Sequence, residues 1–244
     1  MFNSKKISSI IFISVLDEET QPVVKLLGLK HINTPFIFFS AFEGIYKGIN
    51  LHLVQPKKDP KFQVDSIGPE ISSIVTYIAI QNYHPDLVIN LGTAGGVIKD
   101  NNNLKGLKLG NVCVAEREIL FYDRNCPSSF SPEKKKYLVG KYEVMSLGEL
   151  NNKLGLKEVS IGTSSSFISD QSNAFKMEVD VCDMESAGIA KVCFWMKVPF
   201  LAVKVISDLD SVSENDQKNM FEDNLAIVSE KLAKKISEIL EVFS

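Results

Sequence analysis

The sequence predicts an α/β protein that folds as one domain, on the basis of three observations. Short, continuous apolar runs at residues 10–15 and 85–90 are typical of strands that are covered on both faces. Segments with helical spacing lie between such runs, and residues 71–78 carry an apolar stripe of this kind. The chain of 244 residues contains no internal repeat and no convincing linker, so residues 1–244 are expected to form a single domain.

Composition and charge argue against nucleic acid and membrane as partners. Hydrophobic residues make up 45% of the chain and charged residues 23%, which is ordinary for a soluble globular protein. The 27 basic and 30 acidic residues are mixed along the chain and give a net charge of −3. Because nucleic-acid binding requires a basic stripe or patch, and anionic membranes attract the same feature, neither is an expected partner.

The cysteine pattern and the first segment both indicate a cytoplasmic protein. The four cysteines form no C-x-x-C pair and are interpreted as reduced, mostly buried thiols: Cys113, Cys126, Cys182 and Cys193. Two lysines before an apolar run imitate a signal peptide, but Asp17, Glu18 and Glu19 interrupt the run too early for a secretory or membrane segment. Residues 10–15 are therefore interpreted as the first core strand.

A helix that starts with acids and ends at Gly28 is predicted directly after the first strand. Acids in the first turn of a helix complement the helix dipole, by about 0.3–1 kcal/mol each. This effect is sufficient to explain Asp17 and Glu18. It is also one explanation for Glu19, and a role in chemistry is the alternative.

Two further strands and a second helix follow. Residues 35–41 and 51–54 are predicted strands joined through Gly44 and Gly48. A helix is predicted to begin at residues 68–69, where glycine supplies the turn and proline the first helical position. Its apolar stripe is assigned to the core.

A glycine-rich turn at residues 92–96 is predicted to end the strand at 85–90. Glycines there allow backbone N–H groups to approach a ligand without interference from a Cβ atom. The segment has neither the G-x-G-x-x-G spacing of a dinucleotide fold nor the ending of a P-loop, so nucleotide phosphate is not the expected ligand. Residues 111–115 are predicted to form the next strand.

Residues 181–210 carry the strongest indication of chemistry. Glu185 precedes an Ala/Gly-rich predicted helix, and an apolar predicted strand ends at Asp208. In a βα-type fold, strand ends and helix starts meet at a ligand crevice, which can hold one acid ionised and another protonated. A long amphipathic helix is predicted over residues 219–243. Phe221 has two candidate positions, at the pocket or in the core, and the core is favoured.

Several motifs together resemble the nucleoside phosphorylase/nucleosidase superfamily, and specifically the plant-type members of its 5'-methylthioadenosine (MTA) nucleosidase branch. In chain order they are IIFISVLDEETQPVV, VDSIGPEIS, PDLVINLGTAGG, FYDR and DMESAGIA followed by VPFLAVKVISD. They cover roughly the whole chain apart from about residues 125–160, so chance agreement is a poor explanation. The resemblance implies one nucleoside phosphorylase-like domain, in which helices flank a central mixed β-sheet.

The resemblance implies two catalytic carboxylates. Glu19 aligns with the family carboxylate that activates the attacking water. Asp208 is the implied general acid: its carboxyl faces adenine N7, and burial at a strand end favours a protonated acid. Lys204, four residues earlier on the same strand, is expected to point to the same side and tune Asp208, and Ser207 is expected to orient it.

The resemblance also implies the residues that hold the substrate. Glu185 accepts hydrogen bonds from the ribose 2'- and 3'-hydroxyls, Met184 packs on the sugar, and Phe121 rather than Tyr122 matches the aromatic that stacks there. An ordinary core position is the alternative for Phe121. The other expected contacts to the nucleoside are Leu16, Thr93, Ala94, Gly95, Phe167 and Ile168.

The chain departs from the family pattern at one place near the base. The family has Gly-Asp followed by hydrophobic residues that stack on adenine, whereas this chain has Gly162 and Thr163 followed by a serine run. Phe167 and Ile168 can still enclose the base. The missing acid leaves the details of base binding open.

Asn90 distinguishes two reactions within the superfamily. Phosphorylases place an arginine at the matching position, where it holds phosphate, and asparagine cannot replace that charge. Water is therefore the expected nucleophile, and a phosphate-dependent purine nucleoside phosphorylase is the first alternative. A nucleoside-binding or storage protein with weak catalysis is the second alternative.

Other hydrolase mechanisms find little support. There is no G-x-S-x-G elbow with a histidine partner, and His31, His52 and His84 lack the spacing of metal ligands. The predicted activity is therefore hydrolysis of the N-glycosidic bond of MTA, with S-adenosylhomocysteine and 5'-deoxyadenosine as further candidate substrates. No cofactor is implied. A homodimer whose partner chain helps to close the 5' end of the pocket is implied by the resemblance.

Overall fold

A computed structural model of the chain describes residues 6–98, 105–124, 126–167, 178–209 and 214–244. Its centre is a mixed β-sheet with the strands β1 Ser9–Ile13, β2 Lys30–Ile32, β3 Phe39–Tyr46, β4 Ile49–Pro56, β5 Leu87–Gly96, β6 Val112–Phe121, β7 Tyr142–Glu143, β8 Lys157–Thr163, β9 Val181–Asp183 and β10 Phe200–Leu209. The helices of the described residues are α1 Asp17–Leu27, α2 Pro69–Tyr83, α3 Pro132–Val139, α4 Leu150–Lys153, α5 Ser186–Met196 and α6 Glu214–Phe243. None of these helices combines the length and hydropathy that crossing a bilayer requires.

The sheet has two parts that share β5. On one side, β1 pairs parallel with β5 and with β4, and antiparallel β3 and β2 complete the edge. On the other side, β10 pairs parallel with β5 and antiparallel with β6, and β8 and β9 follow. β9 returns to pair with the end of β5, so these five strands close into a ring. The predicted fold class, a mixed sheet flanked by helices, is confirmed.

The strands are apolar on both faces because helices cover both faces of the sheet. Helices α2 and α5 contribute to one core cluster, and α1 and α6 contribute to the other. α2 and α5 lie close together, since a Cβ on Gly188 would be 2.5 Å from the carbonyl oxygen of Pro69. This close packing brings the start of α2 beside the start of α5, where Glu185 lies.

The glycine-rich segment at 92–96 belongs to β5 and is not a turn, so that prediction was wrong. Its last residues pair with β10 on one side and β9 on the other, which extends the strand to its final glycine. A Cβ on Gly95 would lie 2.8 Å from Asp208 Oδ2, and one on Gly96 would lie 2.7 Å from Leu209 Cδ2. Glycine is therefore required because side chains of β10 pack directly on the backbone of β5.

The connection between β3 and β4 also differs from the prediction. The turn is formed by Lys47 and Gly48, which both have positive φ (47° and 86°). Gly44 lies inside β3, where a Cβ would approach the Leu29 side chain to 2.8 Å. Here glycine reflects close packing within the core and not a chain reversal.

Candidate active site

A cavity of about 490 Å³ lies where β1, β5 and β10 end and α5 begins. Ten of the thirteen predicted site residues line it: Leu16, Glu19, Thr93, Ala94, Gly95, Phe167, Met184, Glu185, Ser207 and Asp208. The strands are parallel at this edge, so segments that are far apart in the sequence deliver their side chains to one place. Of the other three, Lys204 is buried and does not line the cavity, Phe121 lies in the core and Ile168 lies outside the described residues.

Glu19 enters the cavity from the first turn of α1 and is only 4% exposed. Its Oε1 accepts hydrogen bonds from the Thr93 backbone N–H at 2.7 Å and the Thr93 hydroxyl at 2.8 Å. Its Oε2 accepts one from the Leu16 N–H at 3.3 Å, which also caps the helix. Both interpretations of Glu19 are therefore structurally compatible, because the same carboxylate stabilises the helix start and borders the cavity.

Lys204 is a fully buried ammonium group surrounded by carboxylates. Its Nζ lies 2.9 Å from Asp183 Oδ2 and 4.0 Å from Glu185 Oε2. A Cβ on Gly92 would lie 3.3 Å from this Nζ and 3.2 Å from each carboxylate oxygen of Glu19, so Glu19 is also nearby. Burial opposes the charge of Lys204, but these three carboxylates raise its pKa above the ordinary value. The side chain therefore stays charged.

The predicted partnership between Lys204 and Asp208 is not what the structure shows. The pairing of β10 with β5 shifts in register between Ile206 and Asp208. A bulge of this kind interrupts the strict alternation from which the common side was inferred. Lys204 forms its ion pairs with Asp183 and Glu185, so its charge acts on these two carboxylates near the start of α5.

Asp183 is an unpredicted member of the site. Its side chain is completely buried, and Oδ1 accepts a hydrogen bond from the Thr163 hydroxyl at 2.6 Å. The backbone N–H and the hydroxyl of Ser186 bind Oδ2, the N–H at 3.2 Å. Thr163 is therefore a hydrogen-bond donor to Asp183.

Glu185 lies at the start of α5 and is 9% exposed. Its Oε1 accepts a hydrogen bond from the Gly68 N–H at the start of α2, at 3.3 Å. Burial raises the pKa of Glu185 to about 7; the Lys204 ammonium lowers it, and the charges of Asp183 and Glu19 raise it. Glu185 therefore changes charge near neutral pH.

We expect Glu185→Gln to make the folded protein more stable at pH 8 but not at pH 4.5. The native protein holds a proton on Glu185 up to about pH 7, whereas the unfolded chain releases it near 4.5, so the protonated side chain stabilises the fold at low pH only. The parent loses folding stability as the pH rises from about 4.5 to 7, because ionising the buried Glu185 is costly. Glutamine carries no charge and avoids this loss, which amounts to at most about 3 kcal/mol at pH 8. Denaturant unfolding at several pH values measures the difference.

The exposed glutamate Glu230 on α6 provides the control, and Glu230→Gln should show no such pH-dependent gain. If Glu185→Gln is less stable than the parent at every pH, the burial cost assigned to the Glu185 carboxylate is wrong.

Asp208 lies near the end of β10 and is 3% exposed. The Ser207 hydroxyl donates a hydrogen bond to Oδ1 at 2.7 Å and also approaches the Ala94 carbonyl oxygen at 3.4 Å. Ser207 therefore contacts Asp208 as predicted. Oδ2 of Asp208 packs against Gly95, which places the Asp208 carboxyl beside the last part of β5.

At the end of β6, the aromatic side chain that lines the cavity is Tyr122 and not Phe121. Phe121 is 2% exposed and packs in the core, where the Arg124 guanidinium carbon lies 3.5 Å from its ring centroid. Successive side chains of a strand point to opposite faces, so an alignment shifted by one residue exchanges the core and cavity positions. Tyr122 lines the cavity, and its hydroxyl donates to Ser164 Oγ at 3.4 Å.

Three residues of α6 also reach the cavity, and Phe221 is at the pocket, which was the less favoured of its two predicted positions. Lys218, Phe221 and Glu222 line the cavity together, and Lys218 Nζ lies 3.6 Å from Glu222 Oε1. Residues three or four positions apart lie on the same face of a helix. The spacing of 218, 221 and 222 therefore predicts that these three side chains face the same way.

The Asn90 side chain makes hydrogen bonds inside the protein and does not border the cavity. Its amide group donates to the Ile13 carbonyl oxygen at 3.1 Å and accepts from the Ser186 hydroxyl at 2.8 Å. The chain contains two arginines. Arg117 is exposed and Arg124 packs on Phe121, so neither of them lines the cavity.

Comparison with known proteins agrees with the resemblance seen in the motifs. A family model described as the phosphorylase superfamily matches residues 9–241. The 5'-methylthioadenosine/S-adenosylhomocysteine nucleosidase of Arabidopsis thaliana is 32% identical over 247 residues, which cover 98% of this chain and 93% of that protein. The 5'-methylthioadenosine nucleosidase of the same plant is 27% identical over 243 residues, or 97% and 87% of the two chains.

Solved structures show the same similarity in three dimensions. A crystal structure of an MTA/SAH nucleosidase superposes with a TM-score of 0.88 at 32% identity, covering 98% of this chain and 97% of the other. The apo structure of the Arabidopsis thaliana 5'-methylthioadenosine nucleosidase gives a TM-score of 0.89 at 26% identity with the same coverage. With its motifs, fold and family-model match in agreement, the chain belongs to the phosphorylase superfamily.

Proposed function

We propose that this protein hydrolyses the N-glycosidic bond of MTA to release adenine and methylthioribose. The observation that carries the proposal is the meeting of three buried carboxylates, Glu19, Glu185 and Asp208, at one cavity. The names of the similar Arabidopsis nucleosidases support the choice of substrate. S-adenosylhomocysteine and 5'-deoxyadenosine contain the same adenine and ribose, so they are further candidate substrates.

Asp208 is proposed as the general acid. Adenine is a poor leaving group until a ring nitrogen accepts a proton, and a positioned acid typically contributes about 10²–10⁴-fold to such a step. The Ser207 hydroxyl donates to Oδ1 of Asp208. The other carboxyl oxygen, Oδ2, lies toward Gly95 on the cavity wall. A proton on Oδ2 would be transferred to adenine N7 as the bond to the sugar breaks.

Glu185 and Glu19 are proposed to act on the sugar and on water. Cleavage leaves positive charge on the ribose, and an ionised carboxylate nearby stabilises an oxocarbenium-like transition state. Glu185 would accept hydrogen bonds from the two ribose hydroxyls, with Met184 packed on the sugar. Glu19, held by Thr93, would take the proton of the attacking water, whose oxygen forms the new bond to the anomeric carbon.

Water suits this site better than phosphate as the nucleophile. No arginine of the described residues borders the cavity, and Lys204 is surrounded by carboxylates. Lys218 lies at the cavity beside Glu222. A phosphate dianion would meet repulsion from three carboxylates, and neither of these two lysines, each beside at least one carboxylate, offsets it within the part of the chain that the structure describes.

Product analysis with and without inorganic phosphate tests the proposed function. We expect adenine and free methylthioribose at the same rate in both conditions, because phosphate takes no part in the reaction. Formation of methylthioribose 1-phosphate would instead indicate a phosphorylase. Tight MTA binding without release of adenine would indicate the nucleoside-binding protein.

We further propose a homodimer, as the resemblance implies. An exposed aromatic group near the end of α5 supports it: Phe194 is 61% and Trp195 70% exposed, and their rings meet edge to face. Exposed aromatic patches commonly mark contact surfaces. A mass of one chain in light scattering at micromolar concentration would contradict this proposal.

The proposed compartment is the cytoplasm. None of the four cysteines forms a disulfide bond, and Cys113 and Cys193 are buried, as expected where thiols stay reduced. Localisation of a fluorescent fusion in a secretory compartment would contradict this.

A further inference from the structure

Asp183 occupies a buried position beside the proposed sugar-binding carboxylate without an assigned task. Four charged side chains meet at this point, contributed by α1, β9, the start of α5 and β10: Glu19, Asp183, Glu185 and Lys204. Three of them are acids and only one is a base. The location of the single ammonium group therefore determines which carboxylate it neutralises.

The distances show that the ammonium group is shared unequally. Lys204 Nζ makes a direct ion pair with Asp183 Oδ2 at 2.9 Å but remains 4.0 Å from Glu185 Oε2. At the longer distance its charge still favours the ionised form of Glu185, whereas a direct ion pair would occupy an oxygen of Glu185. Ribose hydroxyls need those oxygens as hydrogen-bond acceptors.

We propose that Asp183 is a positioning residue that holds Lys204 back from Glu185, so that Oε2 of Glu185 makes no direct ion pair and can accept a hydrogen bond from the ribose hydroxyls. The inference rests on the proposed function, because it assumes that Glu185 binds the sugar. Without the Asp183 carboxylate, Lys204 would close on Glu185 and compete with the substrate.

Asp183 is itself held rigidly, which a positioning role requires. Its Oδ1 accepts a 2.6 Å hydrogen bond from Thr163, whose hydroxyl in turn accepts the Ala187 N–H at 2.9 Å. Its Oδ2 is bound by Ser186 and Lys204.

Removing the Asp183 charge should change binding in two ways. Glu185 faces the charges of Glu19, Asp183 and Lys204 and the N–H of Gly68, and loss of one like charge makes the Glu185 carboxylate easier to form. The pH at which binding strengthens should therefore fall. At the same time, a direct Lys204–Glu185 pair should weaken binding at every pH above that midpoint.

Calorimetric titration of MTA between pH 5.5 and 8.5 tests both effects. We compare Asp208→Asn, used to prevent turnover, with the double variant Asp208→Asn/Asp183→Asn. In the first protein we expect affinity to rise with pH to a plateau above neutrality. In the double variant we expect the midpoint to fall by about one pH unit and the plateau affinity to fall by about tenfold.

A merely structural role for Asp183 would lower affinity without moving the midpoint, and loss of its charge alone would move the midpoint without lowering the plateau. An unchanged midpoint or an unchanged plateau affinity therefore overturns the inference. Absence of MTA binding by Asp208→Asn at every pH would overturn the proposed function together with it. If the double variant shows no cooperative unfolding, Thr163→Val replaces Asp183→Asn, because it removes a hydrogen bond to Asp183 but keeps all four charges. Thr163→Val should bind MTA more weakly than its matched control Thr163→Ser, and equal affinities would refute the positioning role.

Discussion

Replacing Asp208 by asparagine is expected to slow adenine release from MTA by about 10²–10⁴-fold while leaving nucleoside binding nearly intact. Asparagine has the shape of aspartate and can still accept the hydrogen bond from Ser207, so the cavity should keep its form. It cannot supply a proton to adenine as the glycosidic bond breaks. Steady-state kinetics together with a binding titration separate the two effects.

The control for this variant is Asp223→Asn, which alters an exposed aspartate on α6. It should retain the activity of the parent. Turnover of Asp208→Asn within a few-fold of the parent would show that another group protonates the base.

Replacing Glu19 by glutamine should reduce turnover by about 10²-fold or more, again with MTA still bound. The amide oxygen of glutamine can accept the two hydrogen bonds from Thr93, which keeps the side chain in place. An amide cannot take a proton from water, so activation of the nucleophile is lost. A single-turnover measurement of adenine release detects this directly.

Glu18 supplies a matched control one residue away, because it lies in the same helical turn but is exposed. Glu18→Gln removes the same formal charge from the start of α1 and should retain the activity of the parent. Equal activities of Glu18→Gln and Glu19→Gln would leave only the helix-capping role for Glu19.

Features that depend on local patterning could be predicted from the sequence. The apolar runs at 10–15 and 85–90 correspond to β1 and β5, and the segment after Pro199 corresponds to β10. A strand covered on both faces has to be apolar along its whole length, which makes such runs recognisable. The positions of Glu185 and Asp208 at the cavity followed from the ends of these elements.

Features that depend on contacts between distant segments could not be predicted in this way. A glycine-rich run is typical of a turn, but here it continues β5 because side chains of β10 need the space above it. The choice between Phe121 and Tyr122 depends on how this strand aligns with the family. An insertion of a residue or two just before Phe121 leaves that alignment ambiguous by one position, and one position exchanges the two faces of the strand. The ion pair of Asp183 with Lys204 joins two strands that do not pair with each other, so neither local pattern indicates it.

A crystal structure of the Asp208→Asn protein with MTA tests most directly whether the three carboxylates serve one reaction. We expect adenine N7 beside residue 208, the ribose hydroxyls at Glu185 and a water molecule between Glu19 and the anomeric carbon. A nucleoside bound with N7 turned away from residue 208, or with its ribose remote from Glu185, would contradict the proposed mechanism.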